Sequence, residues 1–160
     1  MKPIEIVKFI ISIFICQGAG MLGSFFTIPS IPTWYATIKK PSFTPPNWLF
    51  APVWIALFAL MGIALFLIWR KGLHNTQVRI AFIIFIIQLI LNISWSAAFF
   101  GFRSPLLGFI IIIVLWVAIL LTIVTSHKVS ALASFLLIPY IIWVSFAAVL
   151  NFSIMILNRT

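Results

Sequence analysis

Five apolar runs, each long enough to cross a bilayer as a helix, take up most of this chain. A helix rises ~1.5 Å per residue, so about 20 apolar residues span the hydrocarbon core. Taking Lys, Arg, proline clusters and polar runs as boundaries gives segments at roughly 5–27, 47–69, 79–102, 105–126 and 130–157. Backbone polar groups cannot go unpaired in lipid, so each segment must be helical. Period-two alternation is absent, which argues against a barrel. The predicted fold is an all-α membrane protein, one bundle of five transmembrane helices forming a single domain over 1–160.

Composition agrees. Hydrophobic residues make up 64% of the chain and charged residues 7%, far from the balance of a soluble domain. Glu5 is the single acidic side chain against ten Lys and Arg. The bases stand at the ends of apolar runs, where anionic lipid headgroups can pair with them, so the membrane and not nucleic acid is the expected partner. Cys16 is the lone cysteine, which leaves no internal disulfide and suits a small packing residue. The N-terminal run superficially resembles a signal peptide. It is too long for one and is read as a retained membrane helix.

Three of the four connections are short, and the first is not. The stretch WYATIKKPSFTPPNWLFAPVW, Trp34 to Trp54, holds four prolines and three tryptophans. A loop over 28–46 is long for a compact domain, and loops of that length are commonly functional. Pro29, Pro32, Pro41, Pro45 and Pro46 fix backbone φ, while Trp34, Tyr35 and Phe43 add apolar surface. Such a segment is expected to fold back over the bundle as a lid. An interfacial aromatic belt accounts for Trp34, Trp48 and Trp69 by depth, but leaves the proline density unexplained.

Polar residues inside the spans mark inward faces. Gln88, Asn92, Trp95, Ser96 and Phe99 share one side of the third helix at 100° per residue. Amides in hydrocarbon are costly unless paired, so this side faces other helices or a cavity. Interhelical glue and pocket lining are both open on this ground. The fifth span presents Trp143, Phe146, Ala147 and Leu150, with Asn151 just off the stripe. Pro139 is placed to kink that span. The second span presents Trp54, Phe58, Met61 and Leu65. Three indoles with a few amides suit a cavity for a flat apolar ligand. Small residues at four-residue spacing, Cys16–Gly20–Ser24, Ala19–Gly23 and Ala97–Gly101, give a weak signal for a dimer face.

Beyond Glu5 at the very start of the first, the spans hold no carboxylate, so an acidic proton relay is not expected. His74 and His127 sit in turns without companion ligands, and no metal site is expected. No nucleophile–base set or phosphate loop can be assembled, so hydrolytic and phosphoryl-transfer chemistry is not expected.

The Trp34–Trp54 stretch, together with QLILNISWSAAFF and LLIPYIIWVSFAAVLN, resembles the translocator protein / tryptophan-rich sensory protein (TspO/MBR) family over about 28–158. The resemblance implies a five-helix bundle, usually dimeric, in the bacterial cell membrane. It implies porphyrin (protoporphyrin IX-like) as ligand and no bound cofactor, with Trp34, Pro41, Pro45 and Pro46 in a lid over the pocket. It places ligand-binding residues at Tyr35, Trp54, Asn92, Trp95, Trp143, Ala147 and Leu150. Binding or sensing of tetrapyrroles is the leading expectation. The alternatives are transport of porphyrin or lipid-like ligands, and light-dependent porphyrin degradation with Trp54 and Trp143 as catalytic candidates. A sterol motif of animal members is incomplete here, because Phe152 stands where a Tyr is needed. The charge count across the two sides is too even to set orientation.

Overall fold

A computed structural model describes residues 2–159, and among them the chain is all α. Helix α1 spans Pro3–Ser30, the single turn α2 spans Trp34–Thr37, and α3 spans Asn47–Trp69. Helix α4, Thr76–Ser96, runs on into a π-helical turn over Ala97–Gly101. Helix α5 covers Pro105–His127. The last crossing comes in two pieces, α6 (Ala131–Leu136) and α7 (Ile138–Leu157). Five crossings are long and apolar enough to span a membrane.

Local chemistry sets the ends. Asn75 Oδ1 accepts from the Gln77 N–H at 2.8 Å and starts α4 a turn earlier than the expected boundary at Arg79. A side-chain cap, not the last charge, decides that boundary. Ser104 and Ser130 cap α5 and α6 in the same way. The first helix also outruns the expected 5–27. Pro29 lies inside α1, where it removes one N–H near the C-terminus. The Thr33 hydroxyl donates to the Pro29 carbonyl at 2.7 Å and the Ile31 N–H to Thr27 O at 3.1 Å, so the last turn holds. The loop expected at 28–46 therefore begins after Ser30 and contains α2. The span expected over 130–157 is interrupted at Leu137. Pro139 has no N–H to give the Phe135 carbonyl, and the chain turns there.

The helices close a ring. α1 lies against α3 and α4, α5 against α4, α6 and α7, and α6 reaches across to α3. On α1 the small-residue stripe points inward: Cys16, Ala19 and Gly23 are buried within the protomer. A Cβ at Gly62 of α3 would stand 3.0 Å from Ile13 Cα, so glycine sets how closely the two backbones approach. Of the small residues read as a possible dimer face, Cys16, Ala19 and Gly23 thus serve α1–α3 and α1–α4 packing. Glu5 pairs with Arg70 at 3.5 Å, at the end of the bundle away from the long loop. The outer surface is apolar, with Phe14, Phe25, Ile90 and Ile142 among the large side chains exposed there.

Candidate functional site

Inside the ring, beneath the long first loop, is a cavity of about 390 Å³. This size is within the range of small-molecule sites. α1 contributes Gln17, Gly20, Ser24 and Thr27, α3 contributes Phe50, Trp54 and Phe58, and α4 contributes Asn92, Trp95 and Ser96. Ala147, Leu150, Asn151 and Ile154 of α7 complete the wall, and Tyr35 of α2 stands over it. Met21, Ile28 and Ile55 line it while remaining exposed on the outer surface, so it opens sideways between α1 and α3.

Aromatic rings give the cavity its shape. Trp54 lies 5.6 Å from Phe58 with 30° between planes, and 6.3 Å from Trp95 at 34°. Trp95 lies 5.8 Å from Phe99 at 23°. Successive rings in this row are inclined by 23–34°, so one side of the cavity is aromatic along its length and offers a planar molecule a surface to pack against. The π-helical turn after Ser96 carries Phe99 and Phe100 toward the loop. There Phe99 meets Trp34 at 5.5 Å and Tyr35 at 6.3 Å. The Ser30 hydroxyl donates to the Phe100 carbonyl at 3.1 Å, which ties the end of α1 to this wide turn.

Trp95, Asn151 and Asn92 of the wall are each held by a named partner. Trp95 Nε1 donates to Asn151 Oδ1 at 3.1 Å, and Asn151 Nδ2 donates to the Pro105 carbonyl at 2.8 Å. Gly108 makes room for this arrangement, since a Cβ there would lie 2.9 Å from Asn151 Oδ1 and 3.0 Å from Phe99. Asn92 Nδ2 donates to the Tyr140 hydroxyl at 2.9 Å, and that hydroxyl donates to Gln88 Oε1 at 3.0 Å. Gln88 and Tyr140 are wholly buried. The amides of the third span are therefore glue and lining at once: Gln88 is structural, and Asn92 is on the wall.

The loop is fastened at both flanks. The Lys39 N–H donates to Asn158 Oδ1 at 3.0 Å, and Asn158 Nδ2 returns a bond to the Lys39 carbonyl at 2.8 Å. One amide just beyond α7 thus grips the loop backbone in both directions. Lys40 Nζ donates to the carbonyls of Tyr35 and Ile38 at 2.6 and 3.1 Å and sits 4.8 Å from the Tyr35 ring centroid. Burial pushes the Tyr35 phenol above its ordinary range, so its hydroxyl is neutral at physiological pH. Phe43 meets Phe146 of α7 at 6.3 Å.

Of the residues expected at a binding site, Tyr35, Trp54, Asn92, Trp95, Ala147 and Leu150 come together on this wall. Trp143 does not. Its indole stands behind Phe50 at 6.1 Å and beside Phe146 at 5.5 Å, outside the lining. Trp34, Pro41, Pro45 and Pro46 also lie outside the lining, in the loop above it, with Pro46 directly before α3. The contribution of α1 was not anticipated. Its signal was present, because Gln17, Gly20, Ser24 and Thr27 are small or polar at helical spacing in an otherwise apolar helix. Asn151, which the sequence sets just off the inward stripe, is on the wall, whereas nothing in the sequence marks Asn158.

Comparison with known proteins agrees with this arrangement. The TspO/MBR family model matches residues 12–157. The "Tryptophan-rich protein TspO" of Chlorobaculum tepidum is 46% identical over 154 residues, 96% of this chain and 98% of that protein. Its namesake in Archaeoglobus fulgidus is 47% identical over 155 residues, covering 96% and 99%. The "Translocator protein" of Sus scrofa is 35% identical over 122 residues, covering 76% and 72%. With the family model covering every residue that lines the cavity, and five apolar crossings in the fold, this chain is an integral membrane protein and belongs to the TspO/MBR family.

Proposed function

We propose that the protein binds and senses tetrapyrroles and similar flat apolar molecules in the cavity beneath the first loop. The observation that carries this reading is the continuous row of aromatic rings, Phe58, Trp54, Trp95 and Phe99, along one side of a largely apolar cavity. A planar macrocycle gains most from such a surface, and a few polar groups (Asn92, Ser96, Tyr35) orient it. Access comes from the bilayer through the side opening between α1 and α3, where an apolar ligand is already dissolved. The small-residue packing of α1 inside the protomer leaves a homodimer to be formed through other faces.

The test is a titration of protoporphyrin IX into the protein in lipid nanodiscs, followed by quenching of tryptophan fluorescence. Saturable one-to-one binding is expected. Trp54→Ala should weaken it by about tenfold or more, the worth of a lost stacking surface. Absence of saturable binding, or equal affinity in the variant, would overturn the reading.

A further inference from the structure

The hydrogen-bond chain behind the cavity wall has two possible polarities. As drawn, Asn92 Nδ2 donates to Tyr140 Oη, which donates to Gln88 Oε1. Asn92 Oδ1 has no partner among the described residues and is not sealed away, so it opens on the cavity as an acceptor. At the other end, Gln88 Nε2 is buried with no acceptor. An orphaned buried N–H is the rarer and costlier defect, and an under-used carbonyl the milder one. Turning both amides reverses every bond. Gln88 Nε2 then donates to Tyr140, Tyr140 donates to Asn92 Oδ1, and Asn92 presents its N–H group to the cavity. Each polarity makes two bonds; reversal exchanges an orphaned Gln88 N–H for an unused Gln88 carbonyl, and a hydrogen bond from a ligand to Asn92 is of the same order as that difference.

We propose that Gln88 and Tyr140 are positioning residues forming a reversible relay, through which Asn92 offers a bound molecule either an acceptor or a donor. One amide thereby serves planar ligands with a ring N–H and planar ligands with a ring carbonyl. Gln88 touches neither, being wholly buried and absent from the lining. Its role is to take or give the far hydrogen bond of Tyr140. Without Gln88, the Tyr140 hydroxyl keeps Asn92 Oδ1 as its acceptor, and Asn92 is locked with its N–H group toward the ligand.

This inference rests on the reading that Asn92 faces the ligand, and the test separates the two. The probes are three flat tricycles of nearly equal size: carbazole (N–H donor), fluorenone (carbonyl acceptor) and fluorene (neither). Affinities are measured for wild type, Gln88→Leu, Tyr140→Phe and the double variant. Wild type should hold carbazole and fluorenone each more tightly than fluorene. Gln88→Leu should shift the carbazole-to-fluorenone ratio toward fluorenone by roughly threefold to tenfold, one hydrogen bond's worth. In the Tyr140→Phe background the same change at residue 88 should leave the ratio unmoved, because the link is gone. A merely structural Gln88 lowers all three affinities together and leaves the ratio as in wild type, and that result overturns the relay. Failure of all three tricycles to bind wild type would instead strike the cavity reading and the relay with it. Gln88→Met, closer to glutamine in shape, repeats the measurement if the leucine variant does not fold.

Discussion

A single glycine makes room for the contact that holds one indole of the wall. Gly108 leaves Asn151 room to accept from Trp95 Nε1. Gly108→Ala should push Asn151 aside, costing about 1–3 kcal/mol of stability as overpacking does. It should also free Trp95, visible as a lower melting temperature together with a changed tryptophan emission. Unchanged emission would mean that the indole does not depend on Asn151. Trp143 offers the opposite case. It falls on the same helical face as Ala147 and Leu150, so periodicity assigns it to the pocket. Its indole instead backs Phe50. Periodicity gives direction around a helix but not which neighbour fills the space in front. Trp143→Phe is therefore expected to leave protoporphyrin affinity within about twofold, a surface-like effect for a residue outside the wall. If illuminated, bound porphyrin bleaches through an indole, Trp54→Phe should slow the bleaching and Trp143→Phe should not. Equal slowing in both would contradict the placement.

At the scale of elements, the first loop is a clamped strap. Its proline density was legible in the sequence, and stiffness followed from it. The fastening was not, because Lys39 and Asn158 are 119 residues apart and a lone asparagine near a C-terminus carries no signal. Asn158→Ala removes two bonds to the loop and should weaken its hold by about 1–3 kcal/mol. Amide exchange across 38–46 should quicken while exchange in the centre of α3 stays slow. Protection unaltered in the loop would show that prolines and aromatic contacts hold it alone. Replacing Pro41, Pro45 and Pro46 together by Ala tests that second contribution, with faster ligand dissociation expected. The crossings themselves were readable from length and hydropathy. Their ends were not, because Asn75, Thr33 and Pro139 act through individual hydrogen bonds that composition does not reveal.

Across the whole molecule, five helices close a ring whose centre is only partly filled. α3, α4 and α7 supply rings and amides that the sequence pattern marked as inward. α1 supplies the thin wall, its small residues allowing close approach to α3 and α4, and the cavity opens between α1 and α3. The small and polar residues of α1 at helical spacing carried a signal for the cavity wall, but an ambiguous one, since small residues serve close packing and cavity walls alike. The central claim is that planar ligands reside within this ring, beneath the loop. The most direct measurement is an experimental structure of the protein with protoporphyrin IX bound. The account predicts the macrocycle inside the cavity, its face against Trp54 and Trp95, its edge near Asn92, and Tyr35 above it. A macrocycle seated outside the ring, for instance in the apolar groove that Phe14, Phe25 and Ile90 form between α1 and α4, would contradict it.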